Sequence, residues 1–447
     1  MIALFRLLGR LNAGAFVVLA LIFTALLTGG ANSASGAALL ALALLACLIG
    51  VAALAPGRID RVIGAYWLSC IAALGFIAWA LATSVSGAWG VLPAHPFWSA
   101  LGLDAGQLSL SPYRSLEGLA AFIAPCVAFL LGALAAPDSK SRDQLGRWAV
   151  ALALLYCVIA LAFFFSAQAR PGGRLDPSAS SANAAATTFG LLLVLTMIML
   201  VRAGRGRLAA PIKAPPKLHW ARFAYAAPLS LATAILLFAG LLLTASRGGL
   251  VATLVALLVF SALMAFAALK DTKASRGIAA APLLALAVAF VLIFARGGEE
   301  VLRRFALSGT DAEVRAQLAD AHFAAFAERP LLGHGLNTYH ELNILAQTPE
   351  NWRALHGTGS AHNIFIQALE ETGLIGLALF ALMLATPLIR AGLRVIGRRS
   401  GAEWAAGVLA MTTLVFVHGS VDFGLQVPAL TALFAFLLGA GAAPTRA

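Results

Sequence analysis

The sequence predicts an all-α polytopic membrane protein with about twelve transmembrane helices and one long, partly helical loop on the periplasmic side. Of the 447 residues, 61% are hydrophobic and only 11% are charged, whereas roughly 25% are charged in an average soluble domain. Apolar runs long enough to cross a bilayer, about 17–25 residues each, recur along the chain. The longest polar stretch, residues 297–362, separates two such runs. Residues 1–447 are therefore predicted to form a single membrane domain.

The predicted spans are apolar runs of similar length, separated by short polar connections. They lie near residues 13–30, 36–55, 62–82, 115–136, 148–166, 183–201, 224–243, 249–269, 277–295, 364–389, 403–420 and 425–443. The first has basic residues before it but no small-residue cleavage site followed by a soluble domain, so it is predicted to be an uncleaved anchor.

The net charge of +12 follows from membrane topology and predicts no nucleic-acid partner. With the N-terminus inside, about two thirds of the basic residues fall on cytoplasmic loops, and this positive-inside bias places both termini in the cytoplasm. All five lysines lie inside, whereas the basic residues outside are all arginines. Orientation alone would not separate the two types, but the planar guanidinium can bind phosphate through two parallel contacts.

No cofactor or metal is predicted. The four cysteines all fall within apolar runs, which indicates neither a disulfide nor a zinc site. The outward loops contain no paired Asp-x-Asp or similar ligand set, which argues against a metal-dependent transferase.

The polar loop 297–362 contains five arginines, five histidines and no lysine. Guanidinium groups suit phosphate recognition, and imidazole is the side chain most easily used as a base near neutral pH. This composition predicts an enzyme that acts on a phosphate-containing lipid at the membrane surface. A loop histidine is usually a plain surface residue, and we expect this of four of the five. They are His322, His334, His340 and His356.

Local patterns predict structure within the loop. Thr310 and Glu313 form a capping-box pattern, which predicts an amphipathic helix over residues 311–328 that is stopped by Pro330. The glycine-rich turn over residues 330–337 can bring backbone close to a ligand.

Four segments occur in an order that resembles the bacterial O-antigen ligase and polymerase family. They are Thr244-Ala-Ser246-Arg247-Gly248-Gly249, Arg315, Pro330-Leu-Leu-Gly-His-Gly335, and His362-Asn363 followed by Gly373-Leu-Ile-Gly376. The resemblance covers residues 183–430, and the segment beginning at Ala182-Asn183 also fits it. The segment from His418 to Pro428 is similar to one found in polymerase-like members.

The resemblance implies a metal-independent, inverting glycosyltransferase in the bacterial inner membrane, with its active face in the periplasm. The donor would be a polyprenyl-diphosphate-linked glycan, and the acceptor another glycan or lipid A-core. His362 would be the catalytic base, and Arg247 and Arg315 would bind the donor pyrophosphate. Supporting roles fall on Ser246, Gly248, Asn363, Glu370 and Asn183.

Several alternatives stay open at the level of single residues. Arg247 also fits an interfacial anchor, and Arg315 also fits an ion pair with Asp311 or Asp320. Glu370 and its neighbour Glu371 fit either partners of buried polar groups or groups that orient the histidine, because an intramembrane carboxylate needs such a role.

Three functions remain possible. The His418 segment favours a polymerase for O-antigen or exopolysaccharide over a ligase that uses lipid A-core. A twelve-span transporter or flippase is the alternative from another class. Few charges lie at mid-membrane, where a substrate path would need them, and this disfavours transport.

Overall fold

A computed structural model describes residues 11–85, 92–103, 106–166, 173–177, 181–208, 228–267 and 308–444, and within these ranges all regular structure is helical. The α-helices, numbered in chain order, are α1 (Leu11–Leu27), α2 (Ala34–Leu54), α3 (Pro56–Ala65), α4 (Trp67–Ser84), α5 (Pro96–Ala100), α6 (Pro112–Ala135), α7 (Ser139–Ser166), α8 (Ala182–Leu208), α9 (Pro228–Leu243), α10 (Arg247–Ala267), α11 (Ser308–Glu328), α12 (Tyr339–Leu345), α13 (Trp352–Leu355), α14 (Ile364–Ile396), α15 (Ala402–Gly419) and α16 (Pro428–Ala442). A 3₁₀-helix, Gly424–Gln426, connects the last two.

The all-α polytopic fold class is confirmed. Among the described residues, eight helices are long and apolar enough to cross a membrane, and three shorter apolar helices accompany them. They correspond to eleven of the predicted runs. The twelfth run, near 277–295, lies outside the described residues, so the count of twelve stays a prediction.

Helix α8 forms the centre of the bundle, since its residues 184–201 are all buried. Beside it, α6 and α16 are in direct backbone contact. A Cβ at Gly132 would lie 2.0 Å from the carbonyl oxygen of Phe436, and one at Gly439 would lie 2.1 Å from that of Phe129. Small residues allow this approach, which gives membrane helices their van der Waals contact.

Helix α14 is broken at Gly373, which adopts φ +62°. The second half of the helix, residues 374–396, is about 35 Å long at ~1.5 Å per residue, enough to cross the bilayer without the first half. The break leaves backbone groups of both half-helices without intrahelical partners.

The turn over residues 330–335 supplies those partners. The N–H groups of Leu374 and Ile375 donate to the carbonyl oxygens of Pro330 (2.8 Å) and Leu331 (3.3 Å). In the other direction, His334 N donates to the Glu370 oxygen (2.9 Å), and Gly335 N to the Glu371 oxygen (2.8 Å).

Glycines on both sides make this contact possible. A Cβ at Gly333 would lie 2.5 Å from the Glu371 oxygen, and one at Gly373 would lie 2.3 Å from the Leu331 oxygen. The sequence predicted that this turn brings backbone close to a ligand, but Gly333 brings it close to the backbone of α14 instead. The turn therefore fixes the polar loop to a membrane helix.

The predicted loop helix is present as α11 and ends before Pro330, as expected. It begins at Ser308, however, so Thr310 lies inside the helix and the predicted capping box does not mark its start.

Replacing Gly373 by alanine should severely impair folding or activity, because the new Cβ meets the Leu331 oxygen at 2.3 Å and φ is +62°. Gly392→Ala in the same helix is the matched control, since nothing lies within 4 Å of that Cβ. It should be neutral or stabilising by ~0.5–1 kcal/mol. Thermal unfolding in detergent measures both, and equal behaviour of the two variants would contradict the role given to the break.

A cysteine at exposed His340 should react with a membrane-impermeant thiol reagent in intact spheroplasts, because the polar loop is predicted to be periplasmic. A cysteine at exposed Ser400, on a basic loop predicted to be cytoplasmic, should react only after permeabilisation. Both are placed in a background without the four native cysteines. If only Ser400→Cys were labelled in intact spheroplasts, the protein would have the opposite orientation in the membrane.

Candidate active site

The turn before α10 places Arg247 at the start of that helix. Ala245 adopts φ +48°, and the Thr244 hydroxyl accepts from Ser246 N at 3.3 Å. The Ser246 hydroxyl in turn accepts from Gly249 N at 3.2 Å, so this serine caps the helix. The half-buried Arg247 therefore projects from a fixed backbone, and Ser246 supports it structurally.

The glycines after Arg247 make room for His418, on α15. A Cβ at Gly248 would lie 3.2 Å from His418 Nε2, and one at Gly249 would lie 2.5 Å from Ala186 Cβ and 3.3 Å from His418 Cε1. The other ring nitrogen of His418, Nδ1, lies 2.7 Å from the Thr187 hydroxyl. The imidazole of His418 therefore occupies the side toward which a Cβ of Gly248 would point.

A chain of hydrogen bonds joins the Arg247 turn to Asp422. Arg174 donates from Nε to the Thr244 carbonyl oxygen at 2.8 Å and from Nη2 to Asn183 Oδ1 at 2.6 Å. The Asn183 amide donates to Asp422 Oδ2, and Phe423 N donates to Asp422 Oδ1 at 2.8 Å. Asp422 is only 1% exposed, so its carboxylate is held in one position. Asn183, a predicted site residue, provides this link.

His362 lies near Asp422, immediately before α14. It adopts φ +50°, an uncommon conformation for a residue with a side chain. Its ring contacts the edge of Phe423 at a centroid distance of 5.4 Å. The next residue, Asn363, caps α14 by accepting from Phe365 N (3.0 Å) and Ile366 N (3.2 Å).

Within the described ranges, His362 Nδ1 is buried without a hydrogen-bond partner. Burial is the largest influence on this group and lowers the pKa of His362 below its ordinary value of 6.5. The negative charge of Asp422 opposes the shift, and the positive charge of Arg315 adds to it. The imidazole is therefore neutral at pH 7 and able to accept a proton.

Arg315 approaches this group from α11. Its charge, like that of Asp422, acts on both His362 and His418, which places all four residues in one region. The side chain is exposed, and in the described part of the chain it forms no ion pair with Asp320. The side chain of Asp311 lies outside the described residues.

The carboxyls of α14 are partners of buried polar groups. Glu371 accepts from Asn337 N at 2.8 Å and from Gln367 Nε2 at 2.9 Å. Glu370 lies 2.6 Å from His322 Nδ1. Neither carboxyl is hydrogen-bonded to His362. Both are therefore partners of buried polar groups and do not orient that histidine.

Two of the loop histidines were wrongly predicted to be surface residues. His322 is fully buried, and His334 is 2% exposed, whereas His340 and His356 are exposed as expected. His322 and His334 were missed because their partners come from distant segments.

His334 connects the polar loop to the segment between α4 and α6, through His95. Its Nδ1 lies 2.8 Å from His95 Nε2, and its Nε2 lies 2.8 Å from the Ala325 oxygen. His95 Nδ1 accepts from Phe97 N at 3.1 Å, so His95 donates to His334. Burial lowers the pKa of His95 to about 4 and also lowers that of His334. Both rings are thus neutral, and each nitrogen has a partner.

No group of three or more histidine, cysteine, aspartate or glutamate side chains placed to hold a metal ion occurs among the described residues. The charged groups of the site are instead arginines and one carboxylate.

Comparison with known proteins identifies the region that carries these residues. A family model described as O-antigen ligase matches residues 232–381. We call this region, which is similar to the O-antigen ligase family, the O-antigen ligase domain. The match confirms the predicted resemblance. The O-antigen ligase domain includes Arg247, Arg315 and His362, whereas Asn183, His418 and Asp422 lie outside it. No curated protein matches the chain.

Proposed function

We propose that the protein transfers a glycan from a polyprenyl-diphosphate-linked donor to a sugar hydroxyl at the periplasmic face of the inner membrane. The observation that carries this proposal is the convergence of three segments of the O-antigen ligase domain. Arg315 acts electrostatically on both His362 and His418, and His418 packs against Gly248 and Gly249, which follow Arg247.

The two arginines suit a diphosphate. Arg247 begins α10, where the helix N-terminus adds a partial positive charge. Arg315 is exposed on α11 and faces the same region. Guanidinium groups form charge-assisted, two-point hydrogen bonds with phosphate. They would stabilise the negative charge that grows on the diphosphate as the glycosidic bond breaks, which is the role a metal ion has in other transferases.

His362 acts as the general base. Its Nε2 takes the proton of the acceptor hydroxyl while that oxygen attacks the anomeric carbon of the donor. The bond from the anomeric carbon to the phosphate oxygen breaks, and the polyprenyl diphosphate leaves with the electron pair. Attack opposite the leaving group inverts the anomeric centre. Asp422 stabilises the imidazolium formed at His362, which then releases its proton to solvent.

The acceptor distinguishes two versions of this reaction. The segment His418-Gly-Ser-Val-Asp422-Phe423 favours a polymerase, in which the acceptor is a second lipid-linked glycan. A ligase would use lipid A-core instead. Reconstituted protein supplied with lipid-linked glycan alone separates the two, because only a polymerase gives a ladder of longer lipid-linked products.

A transporter or flippase is disfavoured. The polar and charged groups described above collect at one end of the bundle around the O-antigen ligase domain, and a transport path needs such groups across the membrane midplane.

Arg247→Lys should lower turnover about 10- to 100-fold, the effect of losing one or two hydrogen bonds to a charged group. Lysine keeps the charge but not the planar two-point contact, so an interfacial anchor would survive the change. Arg353→Lys, at an exposed position of the same loop, is the control and should behave as wild type. Release of polyprenyl diphosphate from purified lipid-linked glycan measures both, and wild-type turnover of Arg247→Lys would leave Arg247 an anchor.

The pH–rate profile should fall on its acid side as His362 protonates, below the ordinary imidazole range because its pKa is lowered. Arg315→Gln removes a charge that lowers this pKa and should move the limb to higher pH. Asp422→Asn removes a charge that raises it and should move the limb to lower pH. His362→Ala should reduce turnover by ~10²–10⁴-fold and abolish the limb. Shifts in the same direction for both charge variants, or an unchanged limb without His362, would place the base elsewhere.

A further inference from the structure

A second titratable pair lies beneath the site and takes no part in the transfer chemistry. His322 on α11 and Glu370 on α14 are both fully buried, and His322 Nδ1 lies 2.6 Å from Glu370 Oε2. The other imidazole nitrogen of His322 lies 3.3 Å from Asn343 Oδ1, and its ring stacks on Tyr339 at 4.6 Å. The imidazole is thus fixed on three sides.

The pair is costly to bury. Glu370 Oε1 is also buried, and no partner for it is found in the described parts of the chain. An unpartnered buried polar atom destabilises a fold, and well-packed apolar residues in place of a buried polar pair are often neutral or stabilising. An apolar contact between these helices would therefore serve stability at least as well, which points to a role other than stability.

The position of the pair along both helices indicates that role. Arg315 precedes His322 by two turns of α11, about 10 Å at ~1.5 Å per residue, and His362 precedes Glu370 by about 12 Å. Arg315 acts on His362, and His322, two turns further along α11, contacts Glu370, two turns further along α14. The two helices therefore run parallel, side by side. The contact of Leu331 with Gly373 follows at a third level.

Arg315 depends on such a contact because its own turn has little packing. Residues 313–316 are all exposed, and the first buried side chain of α11 beyond Arg315 is Leu318, which packs on Ala354 and Leu355. An apolar contact of this kind tolerates sliding and rotation, whereas a hydrogen bond between two fixed groups is directional. Among the described residues, the His322–Glu370 bond is therefore the side-chain hydrogen bond between α11 and α14 that lies nearest to Arg315, and it sets the rotation and register of α11 on α14.

We propose that His322 is a positioning residue which, through Glu370, holds Arg315 at the distance from His362 that places the donor diphosphate against the base. This role rests on the proposed function, because it assigns Arg315 to the diphosphate. It adds a determinant of donor binding that lies outside the three residues in contact with the substrates.

The test is a double-mutant cycle that measures inhibition by farnesyl diphosphate, a soluble analogue of the leaving group. His322→Phe keeps a ring against Tyr339 but removes the bond to Glu370. Misplacement of a binding group by ~1 Å can cost up to about 10²-fold, so the inhibition constant should rise about tenfold or more. In an Arg315→Ala background the same change should have an effect below about twofold, because residues that act through one another are not additive. His340→Phe, at an exposed loop histidine, is the control.

A second readout separates positioning from a general loss of structure. If His322 keeps Arg315 near His362, the acid limb of the pH–rate profile in His322→Phe should move to higher pH, toward that of Arg315→Gln. The double variant His322→Phe/Glu370→Leu removes the unpartnered carboxyl and should fold at least as well as wild type, yet show the same shift in the limb and the same weakened inhibition.

The outcomes are distinct. Additive effects in the cycle, or wild-type inhibition and an unmoved limb in the folded double variant, would overturn the positioning role and leave the proposed function intact. An Arg315→Ala variant with wild-type inhibition by farnesyl diphosphate would contradict the proposed function, and the positioning role with it.

Discussion

The backbone hydrogen bonds between the break in α14 and the turn at residues 330–335 are the interaction on which the site depends. A helix interrupted at Gly373 leaves amide and carbonyl groups without partners, and the turn satisfies them from both sides. Since the same turn follows α11 directly, its docking lays α11 along the first half of α14. Arg315 on α11 and His362 immediately before α14 are thus brought together by a contact at the other end of these helical segments.

Asp422 is the electrostatic centre of the site. It is buried, held by Asn183 and by its own neighbour's amide, and interacts with two histidines. Burial and Arg315 favour neutral His362, whereas Asp422 favours the charged form. A base needs this balance, because it must be unprotonated before the reaction and stabilised once it has taken the proton. Arg174 and Asn183 join Asp422 to the Thr244 turn, so the turn before Arg247 and the carboxylate that acts on His362 belong to one chain of hydrogen bonds.

Hydropathy is a local signal, and it predicted the eleven apolar runs that form helices in the described residues. Ordered motifs are local as well, and they named Arg247, Arg315 and His362 as candidate site residues. The sequence did not predict the contacts between segments that are far apart in the chain. Gly373 breaks a helix only because a turn some forty residues earlier fits the gap, and His322 is buried because Glu370 and Tyr339 cover it. The segment with His418 and Asp422 served only to favour a polymerase over a ligase. Neither residue was assigned to the site, since their partners at Thr187 and Asn183 are more than two hundred residues away. Gly333 and Gly373 were the one signal in the sequence for the contact between the turn and α14.

The central claim is that Arg247, Arg315 and His362 form one site for a lipid diphosphate and its acceptor. The most direct measurement is a cryo-electron microscopy structure of the protein in lipid nanodiscs with undecaprenyl diphosphate bound. The account predicts that both guanidinium groups contact phosphate oxygens at ~2.7–2.9 Å, with His362 Nε2 facing the position of the departed sugar. Diphosphate density that touches neither arginine, or that lies on the cytoplasmic side of the bundle, would contradict it.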